Sequence, residues 1–148
     1  VSRSTLDIDL LAIDRLCLDP ALWSGLRDEG VGIEIRRGNL SDPLAGVVRL
    51  SASGERPVDL VVGRSGWQRA ALSRAAPGYY AGAALPVLCA ADLILLKLYA
   101  GGPQDAWDIA QLLLAGDRPV LIAEVEARLS ELPAGAAALW RTVVHPWS

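Results

Sequence analysis

The sequence predicts an α+β domain in which a mixed or antiparallel sheet is flanked by helices and followed by a helical C-terminal part. Three observations carry this. Alternation of apolar and polar residues marks strands in the first half of the chain, and helical periodicity replaces it from Ala90 onward. Punctuation by GGP, GDRP and LP divides that second stretch into separate helices. At 148 residues, 52% of them hydrophobic, the chain has the core of one domain. It divides into a sheet-bearing part over 1–88 and a helical part over 89–148.

Thr5 to Ile13 (TLDIDLLAI) alternates apolar with acidic residues and reads as a strand. Asp19 then caps a short helix, with Pro20 at its first position and Gly30 as the stop. Val31 to Arg37 is a second strand. Gly46 to Ser53 and Pro57 to Val62 are two more, joined by the Ser53-Gly54-Glu55-Arg56 turn of a hairpin. Ser65 to Ala76 is an amphipathic helix with Ser65 at its cap, and Leu85 to Leu88 a short strand. Four helices follow over Ala90 to Ala100, Gln104 to Ala115, Val120 to Leu132 and Ala134 to Val144. Trp23, Trp67, Trp107 and Trp140 fall inside helical patterns, where core packing is the default account; Trp147, in the tail, could dock on a partner.

Composition narrows the function classes. The net charge of -3 comes from dispersed acids, and no Lys/Arg block forms a broad nucleic-acid-binding face. Cys17 and Cys89 are isolated, which fits reduced thiols in a cytoplasmic protein and no Cys/His zinc site. The longest apolar run, Leu93 to Leu96, is far too short to span a bilayer, so no membrane partner is expected. The chain opens on Val1 and almost at once enters a strand pattern, which fits either a trimmed protein or an upstream segment outside this sequence. P-loop and Rossmann glycine patterns do not occur. Gly63-Arg64-Ser65-Gly66 is not the turn of a nucleophilic serine, and the single histidine, His145, lies in a Pro/Trp tail.

The chemistry concentrates in carboxylates. Asp7 and Asp9 point to the same side of one strand, about 6.6 Å apart along it, while Leu6, Ile8 and Leu10 take the other face. Carboxylates this close repel, and a divalent cation relieves that repulsion. A bare D-x-D also fits a solvent-facing strand edge. Asp59 stands in VDLVV, an apolar run where a charge needs a reason, and would be a third ligand or a base if its strand neighbours the first. Lys97 is the only charge in LILLKLY, so its ammonium needs either a carboxylate partner or a stem that reaches water. Asp105 and Asp108, three apart on the next helix, share a face and are the candidate partners; Asp105 also suits a helix N-terminus.

RSTLDIDLL, PVDLVVG and LPVLCAADLILLKLYAGGPQDAWDIAQLL together resemble the bacterial nucleotidyltransferase-like proteins of the AbiEii/AbiGii type, many of which are toxins of toxin–antitoxin systems. The resemblance implies a nucleotidyltransferase-like fold and Mg²⁺- or Mn²⁺-dependent transfer of a nucleotidyl group from an NTP to an acceptor. Asp7, Asp9 and Asp59 would be the metal ligands, and Asp59 and Lys97 the catalytic residues. Arg3, Thr5, Lys97 and Asp108 would contact the nucleotide, and a cognate toxin or antitoxin would be the partner. The family's Gly-Ser turn, whose backbone N–H groups hold the triphosphate ahead of the DxD pair, is not among the residues before Asp7. Gln104 stands where relatives often carry a basic residue. Both departures fit the alternative function, a catalytically inactive nucleotidyltransferase-fold protein that binds a partner as an antitoxin or regulatory subunit.

Overall fold

Residues 8–145 are described by a computed structural model; Arg3, Thr5, Asp7 and Trp147 lie outside the described residues. The architecture is α+β, and contacts divide the chain into two units, 1–70 and 71–148.

In the first unit, alternating segments form β1 (Ile8–Ala12), β2 (Gly32–Arg37), β3 (Leu44–Ser51) and β4 (Val58–Gly63). They build one mixed sheet of order β1-β4-β3-β2, with β1 parallel to β4 and the other pairs antiparallel. Gly54, at φ 77°, closes the expected β3–β4 turn in a conformation that disfavours a side chain. One sheet face is apolar: Val48, Leu60 and Val62 are buried with Leu18 and Ala45, and Ile33, Ile35 and Leu50 pack around them.

The helix expected from Asp19 is shorter and tighter. Asp14 and Asp19 each accept a backbone N–H two residues on, from Leu16 and Ala21, both at 2.9 Å. Each Asp starts its own 3₁₀ turn, over Arg15–Leu18 and Pro20–Trp23, before a short α1 (Ser24–Asp28). Trp23 Nε1 donates to Cys17 O at 2.8 Å and ties the two turns together.

α2 (Gly66–Ser73) begins after Ser65, as the sequence predicts, but its cap lies on another side chain. Buried Gln68 turns back so that Oε1 accepts the N–H groups of Arg64 and Ser65, each at 2.9 Å, which is one half of a capping box. Gly63 makes room for it, since a Cβ there would lie 2.5 Å from Gln68 Oε1. Gly63→Ala is therefore expected to destabilise the protein by about 1–3 kcal/mol through overpacking. The check is a lower urea midpoint at constant slope; an unchanged midpoint contradicts the packing account.

In the second unit the expected helix end at Ala76 gives way to a hairpin of β5 (Ala76–Tyr80) and β6 (Ala83–Val87), turned at Ala81 and Gly82 with φ 48° and 81°. Alanines and Pro77 hide the strand alternation of β5 from a sequence reading. α3 (Ala90–Ala100), α4 (Pro103–Ala115), α5 (Arg118–Glu126) and α6 (Ala134–Val144) follow, with a 3₁₀ turn at Leu129–Glu131 that shortens the third expected helix. α3 packs against α4, α5 and α6, and its apolar sides account for buried Ile94, Leu95 and Leu98. Trp67 and Trp140 are buried as expected. Trp107 is not: it is 45% exposed, on the side of α4 away from buried Ile109 and Leu113. No helix among the described residues is long and apolar enough to cross a membrane.

Candidate functional site

Register determines which charged side chains meet on the first unit's sheet. Asp9 lies opposite Asp59 in the parallel β1–β4 pair, Asp59 opposite Arg49 in β4–β3, and Arg49 opposite Glu34 in β3–β2. Directly paired residues share a face, and neighbouring strands run about 4.8 Å apart. The face away from the apolar core thus carries the row Asp9, Asp59, Arg49, Glu34.

Asp59 is the half-buried member, its side chain 21% exposed. Its Oδ2 accepts from Arg49 Nη1 at 3.0 Å. Its Oδ1 is buried and has no hydrogen-bond partner among the described residues. A buried carboxylate oxygen without a donor is costly, and a cation or a donor on a bound molecule removes that cost. Asp9 is exposed at the outer strand. Glu34 pairs with Arg36 at 2.7 Å on the opposite edge, where both side chains are exposed.

No protein-family model matches this chain, and no curated protein is significantly similar to it. Hard carboxylate oxygens are the donors Mg²⁺ and Mn²⁺ prefer, and the unsatisfied Oδ1 of Asp59 beside the strand bearing Asp9 fits such an ion. Arg49 supplies a competing positive charge at the other oxygen. Among the described residues no three His, Cys, Asp or Glu side chains assemble as a metal-holding group; Asp7, the third expected ligand, is outside them.

Lys97, Asp105 and Asp108 come together in the second unit. Lys97 Nζ lies 2.6 Å from Asp108 Oδ2 and 3.5 Å from Asp105 Oδ1, with 24% of its side chain exposed. Both candidate partners thus engage the ammonium, Asp108 more closely. Asp105 also serves the helix start, accepting the Gly102 N–H at 2.9 Å through Oδ2. Gln104 Nε2 donates to Asp108 Oδ1 at 3.2 Å, so this residue braces the carboxylate rather than adding a charge.

One charged cluster escaped the sequence reading. Asp92 is fully buried and takes a two-pronged guanidinium from Arg74, Nη2 to Oδ1 at 2.6 Å and Nε to Oδ2 at 3.0 Å, while Cys89 Sγ donates to Oδ2 at 3.0 Å. Burial pushes the Asp92 carboxyl up, but the hydrogen bonds from Arg74 and Cys89 outweigh it and hold the group below its ordinary value. Burial, and then the bond to Asp92, push the Cys89 thiol up, so it stays protonated and poorly nucleophilic. In sequence Asp92 is hidden as an ordinary acidic residue in the first turn of a helix.

Proposed function

We propose that this chain is a nucleotidyltransferase-fold protein that transfers a nucleotidyl group from an NTP to an acceptor. Asp9 and Asp59, with Asp7, hold Mg²⁺ or Mn²⁺. The observation that carries this reading is the pairing of Asp9 with Asp59 on adjacent parallel strands, with Asp59 Oδ1 buried and unpartnered. The ion these residues would hold would supply charge neutralisation at the triphosphate and polarisation of the phosphoryl group. Asp59, whose side chain is 21% exposed, would also accept the acceptor's proton. The resemblance to the AbiEii/AbiGii-type proteins adds Arg3 and Thr5 as nucleotide contacts and a toxin–antitoxin setting, and the isolated Cys17 and Cys89 fit a cytoplasmic location. For Lys97, which the resemblance turns toward phosphate, the geometry supports the pairing with Asp108.

Calorimetric titration with Mg²⁺ and an NTP tests this directly. Wild-type protein is expected to bind the two together and Asp9→Asn to lose that binding. Equal heats from both proteins contradict the assignment.

One observation favours the second reading, an inactive partner-binding antitoxin or regulatory subunit: Arg49 already neutralises Asp59 from within the sheet. That reading predicts no metal-dependent NTP binding and a stable complex with a co-expressed toxin or antitoxin.

A further inference from the structure

The first unit has a second concentration of charge, on the other side of its sheet from Asp59. Arg37 closes the β2 row opposite Gly46 and Val62, which belong to the apolar face. There a cavity of about 260 Å³ opens beside the core, floored by buried Leu18 and Ala45 and lined by Arg15, Arg37, Arg64 and Asn39. Among the described residues three guanidinium-bearing side chains and no carboxylate line it, in a chain whose net charge is -3. None of the three arginines makes an ion pair among the described residues.

Two of the three are fixed by the backbone. Arg37 Nη2 donates to Leu18 O at 2.5 Å, and Arg64 Nη1 to Leu40 O at 3.2 Å. A guanidinium has five N–H donors, so each anchor leaves most of them unused. Arg64 Nε is moreover buried with no hydrogen-bond partner among the described residues. Asp42, in the same loop, accepts the Asn39 N–H through Oδ2 and does not line the cavity. Main-chain anchoring of this kind orders arginine side chains before a ligand arrives, which reduces the entropy lost on binding. The local register shift between Leu44 and Gly46 inserts Ala45 as a bulge in β3, and that extra residue forms the cavity floor.

We infer that this cavity is a binding site for a phosphate group, distinct from the carboxylate row and independent of the function proposed for it. Planar forks from several arginines match a tetrahedral dianion, which accepts two donors from each. The volume lies just under the roughly 300 Å³ at which drug-sized clefts begin, so the occupant is inorganic phosphate or a small phosphomonoester.

The test is calorimetry of the intact chain at low salt in a phosphate-free buffer, with inorganic phosphate, glycerol phosphate and acetate as probes. Phosphate or glycerol phosphate is expected to bind and acetate to bind at least about tenfold more weakly. Tighter binding of glycerol phosphate than of phosphate identifies a monoester as the occupant, and the reverse identifies the free ion. Arg64→Gln is expected to weaken binding about tenfold, the effect of one lost charged hydrogen bond. Arg15→Gln, at an exposed residue whose side chain makes no hydrogen bond among the described residues, is expected to weaken it several-fold with unfolding unchanged, so that a folding defect in the Arg64 variant cannot decide the outcome. Absence of phosphate heat in the wild type, or equal affinity in wild type and Arg15→Gln, overturns the site.

Discussion

Replacing Arg74 by alanine is expected to lower the unfolding free energy by about 3 kcal/mol, the largest loss anticipated from any single exposed-to-buried pair in this chain. The reason is the asymmetry of the pair. Arg74 is one-third exposed, whereas Asp92 has no solvent contact at all. Removing the arginine leaves a buried carboxylate with the Cys89 thiol as its one side-chain donor among the described residues. Asp92→Asn keeps the shape and removes the charge, so it should be milder than Arg74→Ala. The double variant should be less destabilised than the sum of the singles, because the stranded charge is gone. The pH dependence has a definite sign. The folded-state pKa of Asp92 is depressed, so its contribution is complete above the ordinary carboxyl range and is lost as the pH falls below about 4 toward the folded value. Cys89 acts at the other end: its folded pKa is raised, so its contribution is complete below the ordinary thiol range and fades as the pH climbs above about 8.5. Chemical unfolding of wild type and Asp92→Asn across this range checks both signs. A wild-type acid limb no steeper than that of the variant contradicts the first.

The second large effect belongs to Asp59. Asp59→Asn is expected to weaken metal-dependent NTP binding on the order of a hundredfold, about 2.7 kcal/mol, because it removes a carboxylate charge while preserving side-chain size. Stability should move by less than about 1 kcal/mol, since the Arg49–Asp59 pair is partly solvated. Arg49→Gln then separates the two functional readings. In the enzyme, removing the competing guanidinium leaves metal binding intact or tighter. In the partner-binding protein, neither Asp59→Asn nor Arg49→Gln changes any NTP titration, because none is present to change.

Much of the fold was legible because local signals and the final structure agree. The β3–β4 hairpin followed from alternation on both sides of Gly54, and the limits of α3 and α6 match the punctuation around them. Legibility failed where the local pattern was ambiguous. Alanine and Pro77 disguised β5 as a helix end, and two aspartate caps broke the segment after Asp14 into 3₁₀ turns. The site was partly legible for a related reason. Sequence could mark Asp9 and Asp59 as charges in apolar strands, but only the parallel register of β1 and β4 puts them opposite each other. Arg49 as the competitor of a metal was invisible, because cross-strand register is long-range information. The same holds for Arg15, Arg37 and Arg64, dispersed in the chain and gathered by the first 3₁₀ turn and the ends of β2 and β4.

Paramagnetic Mn²⁺ tests the metal site proposed beside Asp59 residue by residue. Substoichiometric Mn²⁺ added with an NTP should broaden away the backbone amide signals of Asp9, Asp59 and their strand neighbours in an NMR spectrum of the labelled chain, and Asp9→Asn should abolish that broadening. Broadening confined to other surface carboxylates, or unchanged in Asp9→Asn, contradicts the account.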